Sequence, residues 1–199
     1  PGVRLPCIIR FPKLTERGQI NDTRISWVDL TPTILDMAGI NKGKQVFYGK
    51  SFKSATKEKY PVDCSEIFLS HTFHEITMYY PMRGLISGDY KIIWNIAWQL
   101  EFPFASDLWA SSTWQGIYRG KKDYFGKQKV SDYLNRPKFE LYNLRIDPGE
   151  QKNLAYDPEY HKILESMKSK LKEWQRKTAD PWYIMWDHDN TFQGTGVNL

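Results

Sequence analysis

The residues best suited to chemistry lie in one stretch, SHTFHEITMYYPMRGL, which spans Ser70 to Leu85. His71 and His74 stand beside Glu75, and Arg83 follows a run of aromatic residues. Histidine can act as an acid, a base or a hydrogen-bond donor near neutral pH. A guanidinium group can bind a carboxylate or a sulfate through two parallel hydrogen bonds. The stretch is therefore a candidate substrate-binding site.

Each of these residues also has a purely structural interpretation. HTFHE lacks the HExxH spacing of zinc proteases and no third ligand accompanies it, so the pattern does not favour a metal site. The histidines and Glu75 could bond to backbone where a strand begins, and Arg83 could pair with Asp89 or another nearby acid. The residues alone leave these alternatives open, and they do not form a complete catalytic set.

The composition of the chain limits which functions this stretch can have. The 199 residues are 41% hydrophobic and 26% charged, which is ordinary for one substantial globular domain or one domain with a small appendage. The net charge of +5 is compatible with an anionic partner such as nucleic acid, an acidic lipid surface or a sulfated sugar. The aromatic share of 15% is high, and these rings either fill a core or stack on sugars. Four tryptophans are candidates for stacking: Trp94, Trp98, Trp109 and Trp114.

The two cysteines do not suggest a special chemistry. Two thiols make neither a disulfide framework nor a zinc site. Cys7 lies in the apolar run CIIRF, residues 7–11, which predicts a short buried strand with Cys7 as a small buried hydrophobic residue. Cys64 could pair with Cys7. The chain enters this strand almost at once and has no initial Met, so we expect a chain cut within a domain.

The remaining pattern predicts an α+β fold, in which a small antiparallel sheet packs against a long C-terminal helix. A short helix begins at the cap Thr31 and ends at Gly39. The predicted strands are 66–69, 83–86, 90–95 and 139–144, with a hairpin turn at 87–89. Residues 98–135 form loops and short helices. The long helix starts at the cap Asp157 and carries apolar residues at helical spacing.

Three sets of motifs together resemble the sulfatase family. WVDLTPTILDMAGI resembles a strand-to-helix segment of that family, and FELYNLRIDPGEQKNLA resembles its strand and turn before the C-terminal helix. HEITMYYPMR, Phe102-Pro103-Phe104 and KEWQRKTADPW resemble its heparan N-sulfatase branch. The resemblance covers the chain from Pro1 to about Trp182.

The resemblance implies the C-terminal portion of an alkaline-phosphatase-like sulfatase. Residues 1–50 would supply the last strand and helix of the large α/β domain, and residues 51–199 the C-terminal subdomain. The family's formylglycine, made from Cys or Ser, and its calcium ion would belong to a missing N-terminal part. Neither Cys7 nor Cys64 has the sequence context of the modified residue. We therefore expect no catalytic residue, no metal ligand and no cofactor within this chain.

The resemblance also implies roles for the opening stretch. His74 and Glu75 would contact the sugar or its sulfamate, and Arg83 would hold an anionic group or the segment itself. His71 is also a candidate, although it matches the branch less well. The implied partners are a sulfated glycan substrate and the missing N-terminal sulfatase domain, without nucleic acid or membrane and with a homo-oligomer possible. A secreted, periplasmic or lysosomal compartment is expected for the parent protein.

The predicted function follows from this resemblance. The parent enzyme would remove N-linked sulfate from glucosamine of heparan-type glycans, and this chain alone would be inactive. Two alternatives stay open at this point. One is an O-sulfatase that acts on another sulfated glycan, and the other is a non-catalytic module that binds an acidic polysaccharide.

Overall fold

A computed structural model describes residues 3–10, 18–41, 43–56, 65–76 and 78–188. The chain divides into two compact units, Pro1–Ser65 and Glu66–Leu199. The sequence-based division lies at residue 50, and its assignment of the first part to a larger α/β domain stays a prediction. Cys64 lies outside the described residues, and so does its proposed pairing.

The first unit is organised around the helix α1, Leu30–Met37. A 3-10 turn, Trp27–Asp29, precedes α1, and the Asp29 carboxylate accepts a hydrogen bond of 2.7 Å from the backbone N–H of Ser26. The helical segment therefore starts earlier than the predicted cap at Thr31. Its end is confirmed, since Gly39 has a φ of 69°, a left-handed conformation that glycine adopts without strain.

The predicted strand at residues 7–11 is wrong over its described part. Residues 4–10 have no regular secondary structure, Ile8 is 97% exposed, and Cys7 is an exposed free thiol instead of a buried residue. A strand needs a neighbour that pairs with its backbone groups. Among the described residues no strand pairs with this segment, so its apolar composition alone does not make it a strand.

The second unit is built on a four-stranded antiparallel sheet. Its strands, in spatial order, are β1 (Glu66–Phe73), β2 (Tyr79–Ser87), β3 (Tyr90–Asn95) and β6 (Phe139–Asn143). Leu85 of β2 lies opposite Ile92 of β3, which in turn lies opposite Leu141 of β6. The predicted strands and hairpin are confirmed, although β1 and β2 are longer than expected.

One face of this sheet packs against the long helix α5, His161–Lys177. The Asp157 carboxylate accepts a hydrogen bond from the Glu159 N–H and caps the 3-10 turn that leads into α5, as predicted. Full burial of a large apolar side chain contributes about 1.5–3 kcal/mol. The packing of the antiparallel sheet against this long helix confirms the predicted α+β fold. The buried core includes Leu85, Ile92, Trp94, Leu141, Leu164, Met167 and Leu171.

Residues 96–138 form an insert between β3 and β6. It contains the short helices α2 (Ser106–Ala110), α3 (Ser112–Arg119) and α4 (Val130–Leu134), and a hairpin of β4 (Tyr124–Phe125) and β5 (Gln128–Lys129). A cluster of aromatic side chains holds the insert together. This aromatic cluster consists of Phe102, Phe104, Trp114, Phe125 and Tyr133.

The tryptophans divide between core and surface. Trp94 and Trp114 are buried, while Trp98 and Trp109 are exposed. The chain ends its described part with a short helix, α6, Met185–His188. In this part of the chain, no helix has both the length and the apolar composition needed to cross a membrane.

Candidate functional site

The candidate site lies where β1 and β2 are joined. His71 and Arg83 are strand residues, whereas His74 and Glu75 belong to the connecting loop. The two strands are in register up to the pair His71 and Met82, and the pairing shifts before Phe73. The local sequence therefore places two candidates on the rigid sheet and two on the loop that the sheet supports.

His71 is bonded to the backbone of the opposite strand. Its Nδ1 lies 2.9 Å from the carbonyl oxygen of Tyr80, and the residue is half-buried. A carbonyl can only accept, so this contact requires the tautomer or charge state with a proton on Nδ1. The bond fastens the end of β1 to the start of β2.

Arg83 is buried, with 5% of its surface exposed, and forms a bidentate pair with Asp180. Its Nε donates to Asp180 Oδ2 at 2.5 Å, and its Nη2 donates to Oδ1 at 3.0 Å. Nη1 donates to the backbone carbonyls of His71 and Met82 at 2.9 and 2.8 Å. These contacts indicate that Arg83 holds its own segment in place, because its guanidinium charge is already paired inside the protein.

Asp180 is the partner that sequence reasoning did not find. Its carboxylate also accepts from the Trp182 N–H at 3.0 Å and from Gln175 Nε2 at 3.2 Å. Burial by itself raises the pKa of Asp180, but these hydrogen bonds and the Arg83 charge outweigh it and hold the pKa below its usual value. The guanidinium carbon of Arg83 lies over the Trp182 ring, 4.8 Å from the ring centroid. The turn after α5 is thus joined to β2.

Asp180 did carry one sequence signal. It is followed by Pro181 and caps a 3-10 turn, in the same pattern that Asp157 and Pro158 show before α5. That pattern predicts a cap but says nothing about Arg83, which is 97 positions away. Asp89, the partner considered from the sequence, instead pairs with Arg145.

Glu75 ties the loop to the insert. Its Oε1 accepts hydrogen bonds from both the N–H and the Oγ of Ser106, each 2.9 Å long. Ser106 is the first residue of α2. The carboxylate therefore fixes the loop against the insert, and Ser106 is a second partner that spacing alone could not reveal.

His74 differs from the other three candidates. Its side chain is exposed, and within the described part of the chain no group forms a hydrogen bond or an ion pair with it. Phe73, Ile76 and Tyr79 around it are also exposed. The site is therefore a fixed loop that presents one imidazole and an apolar rim to the solvent. Such a surface can donate or accept a proton and contact a sugar ring.

The described residues do not fit a metal centre. Among them, no three His, Cys, Asp or Glu side chains come together in a way that could hold a metal ion.

The comparisons with known proteins agree with this architecture. The family described as N-sulphoglucosamine sulphohydrolase, C-terminal, matches residues 1–104. The chain is 32% identical to the human N-sulphoglucosamine sulphohydrolase over 193 residues, which cover 92% of this chain and 38% of that protein. It is 27% identical to an ulvan-active sulfatase of Formosa agariphila over 90% of this chain and 34% of that protein.

Among solved structures, a 2-O GAG sulfatase shares the fold with a TM-score of 0.51 and 23% identity. The match covers 77% of this chain and 25% of that one. This chain thus spans only about a quarter to two fifths of the length of these sulfatases. The family match together with the sheet, the long helix and the tethered loop leads to one conclusion: the chain belongs to the C-terminal family of N-sulphoglucosamine sulphohydrolases, within the sulfatases.

Proposed function

We propose that this chain is the C-terminal part of a longer sulfatase that removes N-linked sulfate from glucosamine units of heparan-type glycans. The observation that carries the proposal is the family match over residues 1–104, which includes the whole β1–β2 loop. The human N-sulphoglucosamine sulphohydrolase also aligns with 92% of this chain.

In this proposal the chain contributes to substrate binding and not to bond cleavage. His74 contacts the sugar or its sulfamate, because its imidazole is an exposed polar group on the described part of the loop. Glu75 and Arg83 position that loop through Ser106 and Asp180, and His71 secures its base through Tyr80. A loop held by such bonds loses little further backbone entropy when substrate binds.

The catalytic groups are proposed to lie outside this chain. The parent protein would carry a formylglycine as nucleophile and a calcium ion that stabilises negative charge on the sulfate group. Both groups are assigned to the part of the parent that precedes this chain, as the sulfatase resemblance implies. A compartment of the secreted, periplasmic or lysosomal type and a homo-oligomer remain expectations for that parent.

A sulfatase acting on O-linked sulfate is the second candidate. It is supported by an N-acetylglucosamine-6-O-sulfatase of Bacteroides thetaiotaomicron, which aligns with 89% of this chain at 24% identity. The two candidates differ in which bond is cleaved, sulfur–nitrogen or the ester of an oxygen. They share the same loop and the same proposed role of His74.

The test compares this chain with the longer gene product that contains it. Both are incubated with glucosamine N-sulfate and with glucosamine 6-O-sulfate, and released sulfate is measured by ion chromatography. We expect release from the N-sulfate by the longer protein only. Release from the 6-O-sulfate alone would select the second candidate, and release by the 199-residue chain would overturn the assignment of catalysis to the missing part.

A further inference from the structure

We propose that residues 118–129, named here the basic hairpin, form a second binding surface for a sulfated glycan chain, separate from the His74 loop. The proposal rests on the proposed function for its choice of polymer. In this proposal the basic hairpin binds a long polyanionic substrate, while the His74 loop contacts the sugar unit that reacts.

The basic hairpin is anchored on one side only. Phe125 of β4 packs against Trp114 and Tyr133, with ring centroids 5.9 and 5.8 Å apart. Tyr124 lies opposite Lys129 across the β4–β5 pair, and adjacent residues of a strand point to opposite faces. The inner face therefore fixes the hairpin in the aromatic cluster, and the outer face presents Tyr124 and Lys129 to the solvent.

The charge of this surface is strongly one-sided. Five exposed cations lie within it, and the acids nearest to it in the sequence are Asp123 and, on the helix α4, Asp132. In the described part of the chain, none of the five forms an ion pair or a side-chain hydrogen bond. The cations are Arg119, Lys121, Lys122, Lys127 and Lys129.

The long helix α5 shows the contrasting arrangement. Lys168 pairs with Glu165, Lys170 with Glu66, Lys172 with Asp187, and Arg176 and Lys177 both pair with Glu173. Most of the positive charge of α5 is therefore neutralised by the protein itself. The basic hairpin keeps its charge available for a ligand.

Local structure accounts for part of this charge but not for all of it. A cation at Arg119 suits the C-terminal end of α3, and a lysine at 129 protects a short exposed strand from pairing with other chains. Neither effect requires a lysine at both 121 and 122 and another in the turn at 127. The excess of unpaired cations points to an anionic partner.

Exposed aromatic rings flank the charges and favour a glycan over other polyanions. Tyr118 is 59% exposed and Tyr124 is 53% exposed. Trp109, also exposed, lies 5.3 Å from Tyr118 between ring centroids. Rings stack on the apolar faces of sugars while ammonium and guanidinium groups bind sulfate and carboxylate. The proposed function supplies a polymer with both features.

The test measures binding of a heparin decasaccharide to the full 199-residue chain by isothermal titration calorimetry at several salt concentrations. One variant combines Lys121→Gln, Lys127→Gln and Lys129→Gln. The matched control combines Lys168→Gln, Lys172→Gln and Lys177→Gln on α5, which removes the same charge elsewhere. We expect the hairpin variant to lose about tenfold in affinity at low salt and to show a weaker salt dependence. The control should change by about twofold at most.

Equal losses in both variants, or no loss in either, would overturn the proposal. Single-stranded DNA of similar length and vesicles of phosphatidylserine serve as competing probes. Binding of either probe as tight as that of the decasaccharide would overturn the choice of a glycan. Circular dichroism of both variants checks that each retains the helix content of the parent chain.

Kinetics of the longer gene product separate this proposal from the proposed function. The hairpin variant should leave hydrolysis of monosaccharide glucosamine N-sulfate unchanged and raise KM for the polymer. Absence of sulfate release from any substrate would contradict the proposed function and leave the binding result as the measure of the hairpin. Unchanged KM for the polymer, with activity present, would contradict only the hairpin proposal.

Discussion

The Arg83 guanidinium and the Asp180 carboxylate form a buried bidentate pair, with exposed side-chain fractions of 5% and 6%. Arg83 is in the middle of the candidate loop's supporting strand, and Asp180 begins the turn after α5. The pair therefore joins the candidate site to the C-terminal helix. A buried ion pair of this kind is costly to break, since the remaining charge loses its partner.

We expect Asp180→Ala to lower the free energy of unfolding by about 3–5 kcal/mol, because it leaves Arg83 buried and unpaired. Urea unfolding followed by circular dichroism measures this. Adding Arg83→Met to Asp180→Ala should recover part of the loss, because no buried charge then remains. Strictly additive losses in this double-mutant cycle would show that the two side chains do not interact.

The same pair predicts an acid sensitivity. The pKa of Asp180 is lower in the folded chain than in the unfolded one. Ionised Asp180 therefore adds to the free energy of unfolding, and this contribution is fully present above the ordinary Asp pKa of about 4. That contribution should disappear as the pH falls from about 4 through the depressed folded pKa. Asp180→Asn should flatten this acid limb in urea unfolding measured from neutral pH downward. An unchanged acid limb in Asp180→Asn would assign the acid sensitivity to other carboxylates.

His74 and His71 should separate binding from stability. If the proposed parent sulfatase exists as inferred above, His74→Ala should raise its KM or lower its kcat without changing its thermal unfolding, because the side chain has no partner within the described residues. His71→Ala should lower the free energy of unfolding by about 0.5–1.5 kcal/mol through loss of the bond to Tyr80. Unchanged kinetics in a stable His74→Ala protein would make His74 an ordinary surface residue.

Glu75 and Ser106 should act as one positioning unit. Glu75→Ala removes the acceptor of two hydrogen bonds and should raise KM more than it changes kcat, since the loop is no longer held to the insert. Glu75→Gln keeps an acceptor oxygen and should restore most of the loss. Ser106→Ala removes the hydroxyl donor to Glu75 and should raise KM in the same direction. Ser169→Ala, which removes an exposed hydroxyl bond on α5, is its matched control. If Glu75→Gln is as impaired as Glu75→Ala, the carboxylate charge itself contacts the substrate.

Local sequence signals were enough to predict the main elements of the second unit. The hairpin of β2 and β3, the strand β6 and the capped helix α5 all follow from local signals: β-forming runs, a Gly-containing turn, an Asp-Pro cap and apolar spacing. The α+β class and the sulfatase resemblance were available at that level. The stretch that holds the candidate site could also be found, because it concentrates residues with useful side chains.

The roles of those side chains depend on contacts between segments that are distant in the sequence. Arg83 is paired with Asp180 across 97 positions, and Glu75 is bonded to Ser106 across 31, so neither partner leaves a mark in local spacing. Cys7 and Ile8 show the opposite failure, since an apolar run predicts a strand but cannot supply the neighbour that it needs. Local propensity acts over a few residues, whereas burial and ion pairing depend on which distant segments the fold brings into contact.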